Sequence, residues 1–386
     1  MDPFAEIRPY HDAEVRPVLD RLLNDRECVL TIARLRHPQL VGRLPWLMYP
    51  LARWQLARQL AGVADVHGLQ LVIKQYMDAM IESTTTAFRV SGLEGLDSRQ
   101  PWLFMSNHRD IALDPAFVNY ALYHNGHSTV RIAIGDNLLS KPFAADLMRL
   151  NKSFIVRRSA RGPRQVLAAY RQLSAYILHS IAEDGCSIWL AQREGRAKDG
   201  RDRTEPAIIK MLAMSRDREQ GLAEHIRRLH LVPVAISYEW DPCDAAKARE
   251  LHELARQGAY EKAEHEDLAS IALGITGNKG AVHVAFGQPL TEELDDAEAV
   301  AAALDRQIWQ LYVLHATNHI AYHRLHGRWP ELPCGSEGRA FDPREHAALI
   351  RVFDERLAAM PEPHRPHALA LYANPVASRL RAEAGG

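Results

Sequence analysis

Cysteine is scarce and scattered. Cys28, Cys186, Cys243 and Cys334 are the only four in 386 residues, and no two form a Cys-x-x-Cys pair. That spacing excludes a dense disulfide framework and suits incidental or buried thiols of a reducing compartment. Long hydrophobic runs are missing as well: nothing approaches the roughly 18 consecutive apolar residues of a spanning helix, and runs such as Leu229 to Tyr238 are broken by a proline or a polar residue. Neither charge sign is in excess. Lys and Arg number 47 against 48 Asp and Glu, so a chain-wide nucleic-acid footprint is not expected. The start, MDPFAEIRPYHD, has acids and no apolar stretch, which argues against a secretory signal. Cytoplasmic residence is the expectation, with peripheral attachment to the inner face of a membrane left open.

What is present is an ordinary globular balance, 47% hydrophobic and 25% charged, in three zones. Residues 1–88 have apolar positions three and four apart (Val18, Leu22, Leu23; Leu56, Leu60, Val63), a helical period broken near Pro38, Pro45 and Pro50. Residues 89–290 alternate short apolar runs with helical stretches. The runs are Trp102 to Met105, Val130 to Ile134, Ser153 to Val156, Ser187 to Ala191, Leu231 to Ser237 and Ala281 to Phe286; helices are expected over Pro163 to Ala182 and Ala245 to Ile271. Residues 291–386 are helical again over Ala299 to Ala316 and Glu345 to Met360, with a Pro/Gly-rich break between and a frayed tail from Ala382. Strand then helix, repeated, predicts an α/β fold: a mixed, mostly parallel sheet covered by helices, with helical extensions at both ends. Ligands then collect at the carboxyl ends of the strands.

The first apolar run of the central zone ends in Ser106-Asn107-His108-Arg109-Asp110-Ile111-Ala112-Leu113-Asp114-Pro115. A histidine at a strand exit with an aspartate close behind is what a general base needs, because imidazole takes a proton near neutral pH and a carboxylate fixes its tautomer. A histidine that merely caps the next helix is the alternative. The letters His108-Arg109-Asp110 also spell a kinase catalytic loop, but the metal-holding Asn that loop requires is replaced by Pro115, and no Gly-rich loop precedes it. Ser106 lacks the Gly-x-Ser-x-Gly surroundings of a serine nucleophile. His11, His225 and His230 lack ligand spacing, so no metal site is expected.

Asn-His followed by Asp and Pro resembles block I of the glycerolipid acyltransferase family, of the phosphatidic-acid-forming, lysophosphatidate acyltransferase type. The family leaves four residues between His and Asp, whereas Asp114 follows His108 after five. Either the loop carries an extra residue and Asp114 still meets the ring, or Asp110 does so; Asp114 is favoured because Leu113-Asp114-Pro115 restores the family's ending. Three further blocks come in the family's order. Ser153 to Arg158 is similar to block II, Glu194-Gly195-Arg196 to block III, and Leu231 to Ile236, with Pro233, to block IV. Block III is one residue short, leaving Arg196 or Arg193 for the family's phosphate-binding role.

The resemblance implies catalytic His108, Asp114 and Asp110, and substrate contacts from Asn107, Arg109, Arg157, Arg158, Arg193, Glu194, Gly195, Arg196 and Pro233. It implies an O-acyltransferase of phospholipid biosynthesis that moves a fatty acyl group from acyl-CoA or acyl-carrier protein to a lysophosphatidate-type hydroxyl. No metal or redox cofactor is required, because a thioester is already activated. Glycerol 3-phosphate or a lyso-aminolipid is an alternative acceptor, and a non-catalytic lipid-binding protein on the same fold is the alternative from another class. Arg157, Arg158, Arg161 and Arg164, with Arg193, Arg196, Lys198, Arg201 and Arg203, suit an anionic ligand, although Lys198 and Arg203 read first as part of a solvated, charge-balanced loop. The segment Gly42 to Arg58, with Trp46, Tyr49 and Trp54 among Leu and Arg, fits either a water–lipid boundary or a core-packed helix.

Overall fold

The computed structural model describes residues 2–139, 141–263 and 266–384. Contacts divide the chain into two compact units, Met1–Ala79 with Val130–His179 and Met80–Thr129 with Ser180–Gly386, which cut across the zones expected from sequence. The α/β strands are β1 (Thr85–Ser91), β2 (Leu103–Ser106), β3 (Arg131–Gly135), β4 (Ser153–Val156), β5 (Ile188–Ala191), β6 (Leu231–Tyr238) and β7 (Gly280–Phe286).

In the larger unit the strands lie in the order β1, β7, β6, β2, β5. β1 with β7, and β2 with both β5 and β6, are parallel, while β6 with β7 is antiparallel, so the α/β, mostly parallel expectation holds. Every residue of β2 and β6 is buried, as strands covered on both faces must be, and their near-continuous apolar runs reflect it. A second cluster beyond the sheet gathers Trp240, Ile308, Tyr312, Ile320, Phe353, Leu371 and Tyr372, which ties the helices Ala297–Leu311, Ala316–His326, Ala347–Ala358 and Arg365–Ala384 to β6.

Several boundaries differ from the sequence reading. The expected helix Ala245 to Ile271 is two, Asp244–Gln257 and Glu266–Thr276, because Gly258 ends the first with φ +74°. Ala299 to Ala316 is likewise split, and His315 caps a new helix with Asn318 closing its capping box. The tail is no frayed end through Ala384: the helix Arg365–Ala384 buries Val376, Ser378 and Ala382, while residues 385 and 386 lie outside the described residues. β1 replaces the end of the helical preface, its β-branched Thr85 and Val90 pairing along β7 and Thr86 falling at a register shift.

The smaller unit pairs β3 and β4 in parallel and packs the helices Asp12–Asn24, Arg26–Arg36 and Pro142–Leu150 around Val15, Leu19, Leu22, Val66, Leu69 and Leu150. Its helix Pro45–Gln59 has no buried residue, with Trp46 68% and Trp54 63% exposed, which excludes the core-packed alternative. Among the described residues, no helix is long and apolar enough to cross a membrane.

Candidate active site

β2 leaves its ladder at Ser106, level with Val234 of β6. One residue on, the Asn107 carboxamide takes over the work of the backbone: its oxygen accepts from the Ile236 N–H at 2.8 Å and its nitrogen donates to the Ile236 carbonyl at 3.0 Å. This side-chain extension of the sheet delivers His108 to the carboxyl end of β2. The helix Leu113–His124 starts five residues later, with Asp114 in its first turn, where helix N–H groups favour a negative charge, and Pro115 where the missing N–H costs nothing.

His108 Nδ1 lies 2.9 Å from Asp114 Oδ2. The extra residue of the loop does not disturb this contact, because it turns two consecutive backbone N–H groups inward: Arg109 and Asp110 both donate to Asp114 Oδ2, at 2.6 and 2.9 Å. Tyr238, at the end of β6, donates its hydroxyl to Asp114 Oδ1 at 2.7 Å. Asp114 is fully buried, and with four donors around it the burial of its charge is compensated. An acceptor-only carboxylate fixes the proton on Nδ1 and leaves Nε2 with a lone pair. The ring keeps 14% of its side-chain exposure and rests edge-on against Trp189, centroids 5.8 Å apart.

Asp110 has a different task. Its Oδ1 accepts from the N–H groups of Ala112 and Leu113, both at 2.9 Å, and so caps the helix that carries Asp114. Burial, with Asp114 close by, pushes its carboxyl above the ordinary range. Gly274, on the helix Glu266–Thr276, lies so near that a Cβ there would sit 2.3 Å from Asp110 Oδ2. Of the two aspartates weighed from sequence, Asp114 is therefore the one against the ring.

Arg109 and Asn107 were expected to touch substrate, yet both spend their donors inside the fold. Arg109 is 4% exposed and grips Asp202 through Nε at 3.1 Å and a terminal nitrogen at 2.7 Å, with a further bond to the Gly200 carbonyl. Burial alone would lower its pKa, but the Asp202 carboxylate outweighs it and holds the guanidinium firmly charged. These two residues are scaffold: they tie the His108 loop to β6 and to the loop 193–203. Ser106 is also committed, its hydroxyl donating to the Asn107 carbonyl and accepting from the Trp189 indole.

The block III loop follows β5 and folds over the same end of the sheet, where the Ala197 N–H donates to the His108 carbonyl at 2.8 Å. Gly195 takes φ +72°, and Gly200 takes φ +77° with the Leu371 carbonyl 2.2 Å from where a Cβ would stand, so only glycine fits the second. Arg193 lies 3.9 Å from Glu205, Lys198 pairs with Glu250, and Arg196 is half-buried. Glu194 is exposed, with its N–H 3.3 Å from the Glu205 carboxylate. Pro233 is buried in β6 opposite Met105, a wall of the sheet and not a free contact. Arg157 and Arg158 belong to the smaller unit, where Arg157 pairs with Glu6 and the Arg158 N–H donates to Asp136. Among the described residues no group of three or more His, Cys, Asp or Glu converges to hold a metal ion.

Trp189, which its place in a strand marks as core, is 3% exposed, whereas the parts played by Asp202 and Tyr238 are absent from the sequence reading. Tyr238 alone had a usable signal, since it ends the strand next to β2 and so stands where ligands gather.

The site is thus a strand-exit histidine locked by a buried aspartate, beside an Arg- and Gly-bearing loop, on an α/β sheet. The Acyltransferase family model matches residues 87–237, the stretch that carries these parts. Over this stretch the chain is similar to acyltransferases, as its relatives also indicate. It is 28% identical over 179 residues to the glycerol-3-phosphate acyltransferase of Pasteurella multocida (strain Pm70), and 28% identical over 180 residues to that of Histophilus somni (strain 129Pt). In each case the match takes in 46% of this chain and 20% of the relative, so the chain spans about a fifth of the length of these relatives. The solved 1-acyl-sn-glycerophosphate (LPA) acyltransferase PlsC of Thermotoga maritima aligns over 74% of this chain and 95% of its own, at 13% identity and a TM-score of 0.36.

Proposed function

We propose that the chain transfers a fatty acyl group from an acyl thioester, on coenzyme A or a carrier protein, to a hydroxyl of a lysophosphatidate-type acceptor. The observation that carries this reading is the 2.9 Å contact between His108 Nδ1 and the buried Asp114, which leaves Nε2 as a base. His108 Nε2 takes the acceptor's hydroxyl proton as the oxygen attacks the thioester carbonyl. The tetrahedral oxyanion collapses, the C–S bond breaks, and the departing thiolate takes the proton from the imidazolium. No acyl-enzyme forms, in keeping with Ser106 being buried and bonded. Asp114 offsets the positive charge that the ring acquires at the transition state. Arg193 and Arg196 are assigned to the anionic groups of the substrates, Arg196 as the residue after Gly195.

Glycerol 3-phosphate is the second acceptor reading, favoured by the names of the two relatives reported above. The helix Pro45–Gln59 is assigned to the surface of a membrane: Trp46, Leu47, Leu51 and Trp54 are exposed, and Arg58 lies over the Trp54 ring. The test is thioester consumption by the full chain with labelled acyl-CoA and acyl-carrier protein, offered lysophosphatidate, glycerol 3-phosphate and a lyso-aminolipid in turn. Turnover with lysophosphatidate supports the first reading, turnover with glycerol 3-phosphate alone replaces it with the second, and none with any acceptor rejects both. Liposome flotation of the wild type against Trp46→Ala and Trp54→Ala checks the membrane assignment, which an unchanged floating fraction would overturn.

A further inference from the structure

The loop that carries His108 is gripped from behind by a residue outside the matched segment. Lys247, on the helix Asp244–Gln257, is 2% exposed, and its ammonium donates to the Arg109 carbonyl at 2.6 Å and to the Asp241 carboxylate. That carbonyl belongs to the peptide unit between residues 109 and 110. The N–H of the same unit, on Asp110, donates to Asp114 Oδ2. A peptide unit is planar, so its C=O and N–H are opposite ends of one rigid plate, and fixing one end aims the other.

Lys247 is itself held. Its partner Asp241 accepts from the Cys243 N–H at 2.8 Å, and the Asp241 N–H donates to the Tyr372 hydroxyl at 3.0 Å. Tyr372 donates on to Asp244 at 2.8 Å, and Arg356 donates to Asp244 and to the Asp241 carbonyl. The chain of contacts therefore runs from the helices Ala347–Ala358 and Arg365–Ala384 to the back of the His108 loop. An ammonium is costly to bury, and an apolar side chain would fill this space at less cost. What the ammonium adds is a direction for one carbonyl.

We propose that Lys247 is a positioning residue, locking the 109–110 peptide so that Asp114 stays aimed at His108, and that the C-terminal helices support the reaction through it. The kinetic arm of the test rests on the acyl-transfer reading; the spectroscopic arm does not.

In the full chain, Lys247→Met lowers kcat by roughly 10- to 100-fold, the range of a small misplacement of reacting groups. KM for both substrates stays within about threefold, and Lys247→Arg recovers part of the loss. The loss vanishes in an Asp114→Asn background, because the peptide then has no charge left to aim. In 15N spectra, the His108 signal, assigned by its disappearance in His108→Ala, is the Nδ1–H tautomer in the wild type and a mixture in Lys247→Met. A folded Lys247→Met with wild-type kcat, or the same fold loss on top of Asp114→Asn, overturns the proposal. If thermal melts show that Lys247→Met does not fold, Asp241→Asn takes its place, and an unchanged kcat and tautomer there overturn it equally. If the wild type moves no acyl group, the acyl-transfer reading has failed and the tautomer comparison alone decides the role of Lys247.

Discussion

Asp114→Asn removes a charge while leaving nearly every hydrogen bond possible. Oδ2 accepts from His108, Arg109 and Asp110, whereas Oδ1 faces a single hydroxyl, that of Tyr238. A carboxamide with its oxygen toward the three N–H donors turns its NH2 to Tyr238, whose hydroxyl rotates to accept. The fold and the tautomer survive; the anion beside the ring does not. With charge centres about 4 Å apart and an effective dielectric of about 20, the lost attraction for the imidazolium is about 4 kcal/mol. That corresponds to roughly three decades in kcat. Asp110→Asn keeps the acceptor for Ala112 and Leu113 and touches no ring nitrogen, so its kcat stays within about tenfold. Transfer of labelled acyl chains to lysophosphatidate and glycerol 3-phosphate, with thermal melts of both variants alongside, provides the measurement. A folded Asp114→Asn within tenfold of wild type, or a three-decade loss confined to Asp110→Asn, would refute the reasoning.

Three other outcomes follow from the same geometry. Gly274→Ala puts a Cβ 2.3 Å from Asp110 Oδ2 and forces the cap of the following helix to move, so both kcat and the melting temperature fall; unchanged values would mean the helix Glu266–Thr276 yields freely. Asp202→Leu alone strands the buried Arg109 and costs about 3–5 kcal/mol in denaturant titration, whereas the paired change with Arg109→Met costs distinctly less. Burial pushes the Asp305 carboxyl up from 3.8 to about 6, so the folded state holds its proton more tightly than the unfolded one. Its contribution is most favourable below pH 4 and is lost as pH rises toward 6. Asp305→Asn, which still accepts from Thr204, is then more stable than wild type at pH 7.5 by on the order of 1–3 kcal/mol, with no gain at pH 4.

The parts of this molecule legible in its sequence are those with local signals. Pro163 opens a helix that runs to Ala182 as expected, and Ser153–Val156 is a strand at the bounds its apolar letters suggest. His108 and Asp114 were legible from spacing and resemblance together, although only the fold shows how a five-residue gap still closes: two backbone N–H groups converge on one oxygen. The helix Arg365–Ala384 fits the helical C-terminal region expected, with Pro366 in its first turn and packing against β6 and the neighbouring helices outweighing what Pro375 costs. The support of the site was not legible at all. Lys247 meets Arg109 across 138 positions, and Asp241 meets Tyr372 across 131, and no periodicity or motif marks contacts at such a distance. Arg109 and Asn107 were misjudged for the same reason, since their partners Asp202 and Ile236 are remote in the chain.

The central claim is that His108 is the base. Single-turnover acyl transfer by His108→Ala, with saturating thioester and acceptor and a melting temperature matched to wild type, tests it directly. The account predicts a fall of roughly 10²- to 10⁴-fold, the share of a general base. Transfer retained within a few-fold would contradict it.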